Sequence, residues 1–315
     1  MRRFTAFVSA ALLAVTAFTA CAAADPDTSD STPPSTSITV TDQAGRSVTL
    51  SKPAESIVGL TASDIEIIYA LGAGAGVVGR GEYCNYPAEV LDVPAVQSGN
   101  ETNIEQIIAL KPDIVFMNTM AQTEEQTNKL AEAGIAVFVT NADTIDETYE
   151  SITLIGKLLG KDSEAAAIVA GMQATFAKLS AAAQGAVAAN DGTRQSIYFE
   201  VSPLEYGLWA AGANTFMDEV ATLLQLDNVF SDVTGWAAVS QEQVLERKPD
   251  IILTVGMYFG DGPTPIESIL QRPGWEVVPA VANQAILNLT ADELSRPGPR
   301  LALGAQELYD FVYGQ

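Results

Sequence analysis

Apolar and polar positions along this chain fall into blocks that predict a β/α alternation. Short apolar runs at Ile57 to Leu60, Ile114 to Met117, Ile135 to Thr140 and Ile251 to Val255 have the length of buried strands. Segments with helix start and stop signals separate them. Ser63 with Glu66 three positions on opens one helix, which stops at the glycine cluster Gly72, Gly74 and Gly76; Thr123 to Ala133 forms another, stopped by Gly134. Ile38-Thr-Val-Thr-Asp42, the turn Gln43-Ala-Gly-Arg46 and Ser47 to Leu50 predict a hairpin ahead of the first block.

One unit occurs twice. Glu105-Gln-Ile-Ile-Ala-Leu-Lys-Pro-Asp-Ile-Val115 returns as Glu242-Gln-Val-Leu-Glu-Arg-Lys-Pro-Asp-Ile-Ile252. Asn103 with Gln106, and Ser240 with Gln243, read as capping boxes, in which the cap oxygen and the third-position Gln satisfy orphan N–H groups. The residue before a proline is pushed out of the helical region, so Lys111 and Lys248 close both helices and buried parallel strands follow. Two lobes of one design are expected, with Glu105 and Glu242 in the first turns of equivalent helices.

From Thr144 to about Ala189 no strand pattern occurs. Apolar residues at Ile152, Ile155, Leu158, Leu159, Ala166, Ile168 and Val169 predict one long helix or two, with Gly156 and Gly160 as weak points, forming a spine between the lobes. Asn190-Asp-Gly-Thr193 marks a turn, a second β/α lobe follows to about Leu289, and a final helix runs from about Pro299 to Tyr313. The fold class is therefore α/β: two β/α lobes, each with a mainly parallel sheet, joined by a long α-helix, with a ligand cleft between them. The expected boundaries are 38–143 for the N-terminal lobe, 144–190 for the linking helix and 191–315 for the C-terminal lobe.

The N-terminus changes the picture by adding a compartment. Arg2 and Arg3 precede an apolar run from Phe4 to Ala20, an export-signal pattern too short for a comfortable membrane span. Phe18-Thr-Ala-Cys21 resembles the lipobox of bacterial lipoproteins, whose cysteine becomes the lipidated first residue; Phe18 stands where Leu is usual. Residues 1–21 are thus expected to be signal peptide and lipobox. Residues 22–37, rich in Ala, Asp, Ser, Thr and Pro, are expected to be a disordered tether. With Cys21 lipidated, Cys84 is left alone and no intrachain disulfide is expected; it reads as a packed thiol, with contact to a metal complex as the other option.

A net charge of −23 argues against nucleic acid or an anionic surface as partner, since both need a basic stripe. The absence of histidine removes the commonest general base, the usual triads and the usual zinc ligands. A carboxylate-dependent surface hydrolase is what remains of the enzymatic readings. The glycine cluster follows a helix end, whereas a dinucleotide fingerprint precedes a helix, so it reads as a stop and turn. Aromatic residues in Gly- and Pro-containing stretches, Tyr83, Tyr86, Trp209 and Trp236, are candidates to face a cleft, with core filling as the alternative. Asp292 and Arg296 lie in a loop before the last helix; Arg296 reads as a clamp for a polar ligand group or as a surface partner of Asp292.

Taken together, the lipobox and tether, the hairpin, the two lobes on a long helix and the Asn-Ile-Glu-Gln-Ile-Ile-Ala-Leu-Lys-Pro-Asp-Ile-Val segment resemble substrate-binding lipoproteins of ABC importers. The resemblance is to the class for iron-siderophores, haem and cobalamin, and within it most to cobalamin-binding members. It implies a ligand set of Tyr83 (with Asn85-Tyr86-Pro87), Trp209, Trp236, Asp292 and Arg296. Gly99 stands where the best-known members carry a second tryptophan. It also implies that Glu105 and Glu242, one per lobe, dock onto arginines of the permease. The resulting expectation is a monomeric, non-enzymatic, lipid-anchored protein at the outer side of the membrane. It would have no resident cofactor or metal, and would deliver a corrinoid, or alternatively a ferric siderophore or haem, to an ABC permease dimer with its ATPase.

Overall fold

The computed structural model describes residues 37–99, 101–119, 123–256, 262–289 and 292–314; the signal, lipobox and most of the tether lie outside these. Strands β1 (Ile38–Thr41) and β2 (Ser47–Leu50) form the expected antiparallel hairpin, Ile38 opposite Leu50. Asp42 closes its turn: the carboxylate accepts from the N–H groups of Ala44 and Arg46 and from the Arg46 guanidinium. The same carboxylate accepts from Val139 N–H at 3.1 Å, which ties the hairpin to the first lobe.

That lobe contains β3 (Ile57–Gly59), α1 (Ala62–Ala70), β4 (Val77–Gly81), β5 (Ala95–Val96), α2 (Ile104–Leu110), β6 (Ile114–Asn118), α3 (Glu124–Glu132) and β7 (Ala136–Thr140). Every strand pairs parallel, in the order β5-β4-β3-β6-β7. The order reverses direction between β3 and β6. In open α/β sheets such a reversal leaves a crevice beyond the strands' carboxyl ends, where ligands bind.

The spine consists of two helices, α4 (Ile145–Leu158) and α5 (Asp162–Ala189). They part at Gly160, whose φ of 66° a side chain would resist. Gly156 stays inside α4 for a different reason: a Cβ there would lie 2.5 Å from that of Ala165, so the two helices meet where no side chain intervenes. Buried Ala165, Met172, Phe176, Leu179 and Ala183 form the packing stripe of α5.

The second lobe runs through β8 (Ser196–Ser202), β9 (Trp209–Ala211), α6 (Phe216–Leu223), β10 (Asp227–Asn228), β11 (Trp236–Ala238), α7 (Gln241–Arg247), β12 (Ile251–Thr254), α8 (Pro265–Leu270), α9 (Pro279–Ala282), β13 (Ile286–Asn288) and α10 (Leu301–Tyr313). Its sheet has the order β11-β9-β8-β12-β13, with β10 also beside β8. Strands β8, β10, β12 and β13 pair parallel, whereas β9 and β11 run antiparallel, so this sheet is mixed. One continuous apolar core joins the hairpin, α1 and both spine helices to α6 and α10; smaller cores fill the far face of each sheet.

The repeated segment does the same structural work in both lobes. Lys111 and Lys248 close their helices in the left-handed region, at φ of 50° and 48°. The following aspartate then pins the start of the neighbouring central strand. Asp113 accepts from the N–H groups of Glu55 and Ser56 at 2.8 and 2.9 Å, and Asp250 from Ser196 N–H and Oγ at 2.9 and 2.7 Å. The helix starts differ from the sequence reading in two places. The reciprocal box forms at Ser240 and Gln243, but the Gln106 amide donates instead to Ala95 O, leaving Asn103 as a one-sided cap. In α1 the cap position belongs to Thr61, not Ser63, because Glu66 is drawn away to arginines from the end of the chain.

Candidate functional site

Residues at and just beyond the carboxyl ends of β3, β6 and β7 form one wall of a cavity of about 210 Å3. Thr61 and Ser63 follow β3, Asn118 ends β6, and Asn141 and Asp143 follow β7, which places this wall at the order reversal of the first sheet. Phe216, Trp236, Ser295 and Arg296 of the second lobe face it. The space is below the ~300 Å3 at the small end of drug-sized sites.

Among the described residues, polar contacts span the cleft at Asp143 and at Arg296; at the first, Phe216 N–H donates to Asp143 O at 2.6 Å. The indole Nε1 of Trp236 donates to Asp143 Oδ1 at 2.9 Å, while its ring packs on Phe216 with centroids 5.1 Å apart. The indole is thus fixed at both edge and face. Arg296 donates through Nη1 to Glu66 Oε1 at 2.9 Å and to Asn85 Oδ1 at 2.8 Å, and its Nη2 lies 2.6 Å from Asp292 Oδ2. Glu66 is shared: Arg300 donates to it through Nε at 2.8 Å and Nη2 at 2.7 Å, and also meets Glu293. The Arg300 guanidinium lies 3.9 Å over the Tyr86 ring. A wider groove of about 1060 Å3 flanks this pair on the side of α1, α5 and α10.

Of the residues singled out in the sequence, Trp236 and Arg296 line the cavity, and Asp292 joins them through its ion pair. Asp292 sits in the left-handed region at φ of 64°, a conformation that Asp and Asn tolerate. Trp209 does not line the cavity and is 41% exposed. By strand register, however, it shares one face of the β9–β11 ribbon with Trp236. Tyr83 is 75% exposed and also lies outside the cavity. Gly99 has φ of 96° with open space where a Cβ would go, so the backbone, not crowding, excludes a larger residue there. Cys84 is packed, its Sγ 3.8 Å from Gly59 O, and burial pushes the thiol up to about 12, which keeps it protonated and inert. Cys21 lies outside the described residues.

Sequence reasoning passed over two residues. Glu66 looked like a helix cap, and Asp143 lay past the end of a strand with no signal of its own. Both reveal themselves only through partners more than ninety positions away.

Behind the first wall, Asp64 is fully buried. Burial raises its carboxyl to about 7, against the opposing influence of the Thr140 and Thr61 hydroxyls. Thr61 is close enough to moderate the charge but completes no hydrogen bond, and Oδ1 of Asp64 has no partner. Thr140 Oγ1 lies 3.2 Å from both Asp64 Oδ2 and Met117 O, yet has one proton to give. A protonated Asp64 donating to Thr140, which then donates to Met117 O, satisfies all three.

Glu105 and Glu242 are exposed in the first turns of α2 and α7, and neither forms an ion pair among the described residues. Hydrogen bonds from its own N–H and from the Ser240 hydroxyl hold the Glu242 carboxyl below the usual range. Among the described residues no group of three or more acidic or cysteine side chains could hold a metal ion.

Residues 57–293, covering both lobes, match the periplasmic binding protein family. The chain is 32% identical over 279 residues to an uncharacterised ABC transporter substrate-binding lipoprotein, YvrC, of Bacillus subtilis, covering 88% of this chain and 85% of that protein. It is 28% identical to a vitamin B12-binding protein of Pectobacterium carotovorum, over 81% of this chain and 87% of the other. A solved structure of a possible iron-binding, periplasmic solute-binding protein from Staphylococcus epidermidis superposes with a TM-score of 0.66 at 31% identity, covering 83% of this chain and all of that one. The chain therefore belongs to the periplasmic binding protein family, as an extracytoplasmic solute-binding protein whose relatives include vitamin B12-binding proteins.

Proposed function

We propose that the protein captures a corrinoid-type metal chelate between its lobes and hands it to an ABC permease dimer driven by its ATPase, acting as a carrier and not as an enzyme. The observation that carries this reading is the cleft itself: a polar wall at the first sheet's order reversal faces an indole fixed by Asp143 and Phe216. A rigid aromatic face opposite hydroxyls and amides suits a large, flat complex fringed with hydrogen-bonding groups. Trp209, on the same ribbon face, extends that surface towards solvent, and Tyr83 is a further exposed ring. Arg296 and Asp292 serve as a paired polar contact. A ferric hydroxamate is the second reading, favoured by the same hydroxyl and amide groups. A hydrolase has no support here: Glu66 and Asp292 are tied to guanidinium groups, and Asp143 to an indole.

Cys21 is the proposed lipid anchor, holding a monomer at the membrane. Glu105 and Glu242 are the proposed docking points, one per lobe, where exposed acids at helix starts orient a partner and speed encounter more than they tighten the complex. Equilibrium titration of the protein with cobalamin, cobinamide, haem and ferric siderophores tests the ligand. If a siderophore binds at micromolar concentration and no corrinoid does, the first choice is wrong. The double variant Glu105→Lys/Glu242→Lys is expected to abolish uptake in cells while ligand affinity stays within about twofold, since exposed first-turn positions have little effect on the fold. A loss of ligand affinity would assign these acids to the cleft instead.

A further inference from the structure

The chain has sixteen lysines and arginines and no histidine; Arg2 and Arg3 lie outside the described residues, which hold the other fourteen. Among the described residues only Arg296 lines the interlobe cavity. Arg46, Lys52, Lys129, Lys161, Arg194 and Arg247 pair with acids of their own elsewhere, and Arg80 donates to four backbone carbonyls. The internal stretches outside the description, 100, 120–122, 257–261 and 290–291, contain no lysine or arginine.

The one base at the cleft is itself cancelled. Its guanidinium lies 2.9 Å from Glu66 and 2.6 Å from Asp292, while Asp143 adds a further carboxylate to the cavity wall. Counting the neighbouring Arg300 and Glu293, two guanidinium groups face four carboxylates. The rest of the polar wall is hydroxyl and amide: Thr61, Ser63, Asn118, Asn141 and Ser295. Such groups both donate and accept, which matches carboxamides and hydroxamates, but they carry no positive charge to offset that of an anion moved out of water.

We infer that the cleft is a charge filter. It accepts metal chelates that are neutral or cationic and fringed with amides or hydroxamates, and it rejects anionic ones such as a tricatecholate ferric complex or haem with its two propionates. Glu66 and Asp292 set the filter by cancelling Arg296, and Asp143 reinforces it. Discrimination arises from an element that repels the wrong ligand as much as from contacts to the right one. The inference rests on the reading of the cleft as a chelate-binding site, and it adds the property by which that site chooses.

The test is a titration panel followed by intrinsic tryptophan fluorescence: cyanocobalamin, cobinamide, a cationic ferric trihydroxamate, haemin and a ferric tricatecholate, on the wild type and on Asp292→Asn, Asp143→Asn and the double variant. Asparagine tolerates the left-handed backbone at 292, and its side-chain oxygen at 143 still accepts from Trp236. The wild type is expected to bind at least one neutral or cationic chelate at least ~100-fold more tightly than either anionic one. Each single variant is expected to narrow that ratio by about tenfold, and the double variant by more. Equal affinity for the tricatecholate and the neutral chelates, or a ratio unchanged in a variant that still binds a neutral chelate, would overturn the filter alone. No binding to any member of the panel would overturn chelate capture itself, and the filter with it.

Discussion

The two lobes share one building unit and meet the cleft with different materials. Each uses a short helix, a left-handed lysine and an aspartate that pins its central strand. From there they diverge. The first lobe keeps a wholly parallel sheet and presents hydroxyls and amides at and beyond its strand ends. The second adds the antiparallel ribbon of β9 and β11, and that ribbon carries both Trp209 and Trp236. A duplicated scaffold thus supplies position, while the added strands supply the aromatic surface.

Their buried carboxylates differ in the same way. Glu200 of the second lobe pairs bidentately with Arg272 at 2.6 and 2.7 Å, and the guanidinium stacks 4.5 Å over Trp275. That pair holds one lobe to itself. Glu66 instead reaches from α1 to Arg296 and Arg300 beyond the second sheet, so it holds two parts of the molecule together. Removing one partner of a buried pair leaves an uncompensated charge and costs about 3 to 5 kcal/mol. Glu66→Ala and Glu200→Ala are both expected to lower stability by that measure, seen as a fall in melting temperature, with Glu200→Ala at the upper end because Arg296 keeps Asp292 and Arg300 keeps Glu293, while Arg272 pairs with Glu200. Only Glu66→Ala is expected to increase the radius of gyration in solution scattering. Expansion in Glu200→Ala, or none in Glu66→Ala, would break the distinction.

Asp64 sharpens the comparison, since burial raises both its carboxyl and that of Glu200, yet only Glu200 has a guanidinium pulling the other way. A folded-state value near 7 against an ordinary 3.8 means that the folded protein holds a proton the unfolded chain has released. The associated stability is fully present below about pH 4 and is lost as pH rises through 7, to the extent of about 4 kcal/mol. Asp64→Asn, which keeps a donor for Thr140, is expected to be the more stable protein at pH 8 and equal to wild type near pH 4. Chemical denaturation at both pH values measures this, and a constant difference would mean that Asp64 is ionised in the fold.

The smallest effect concerns the caps. Ser240→Ala breaks a reciprocal box and is expected to cost about 1 kcal/mol; Asn103→Ala removes a one-sided cap and is expected to cost somewhat less. Identical costs would remove this difference between the copies.

Much of the architecture was legible because its signals are local. The hairpin, the two copies of the helix-turn-strand unit, the break at Gly160 and the stop at Gly134 each depend on a few adjacent residues. The antiparallel ribbon was not legible, because Trp209-Ala-Ala and Trp236-Ala-Ala are too short to show a period. In the site, aromatic residues in glycine-rich turns singled out Trp236, and loop chemistry singled out Arg296. Of the partners that fix them, Glu66 sits where local rules give a sufficient account of an acid, as a helix start, and Asp143 lies past the end of β7, where no local rule singles it out.

The sequence by itself therefore determined the family, the two-lobed plan and the place of Glu105 and Glu242 at equivalent helix starts, since helix caps, prolines and apolar runs act over a few residues. Only the tertiary structure decided what the cleft can recognise. Whether an arginine is a free clamp or a cancelled charge depends on which acids the fold brings within 3 Å of it, and Glu66 arrives from 230 residues away.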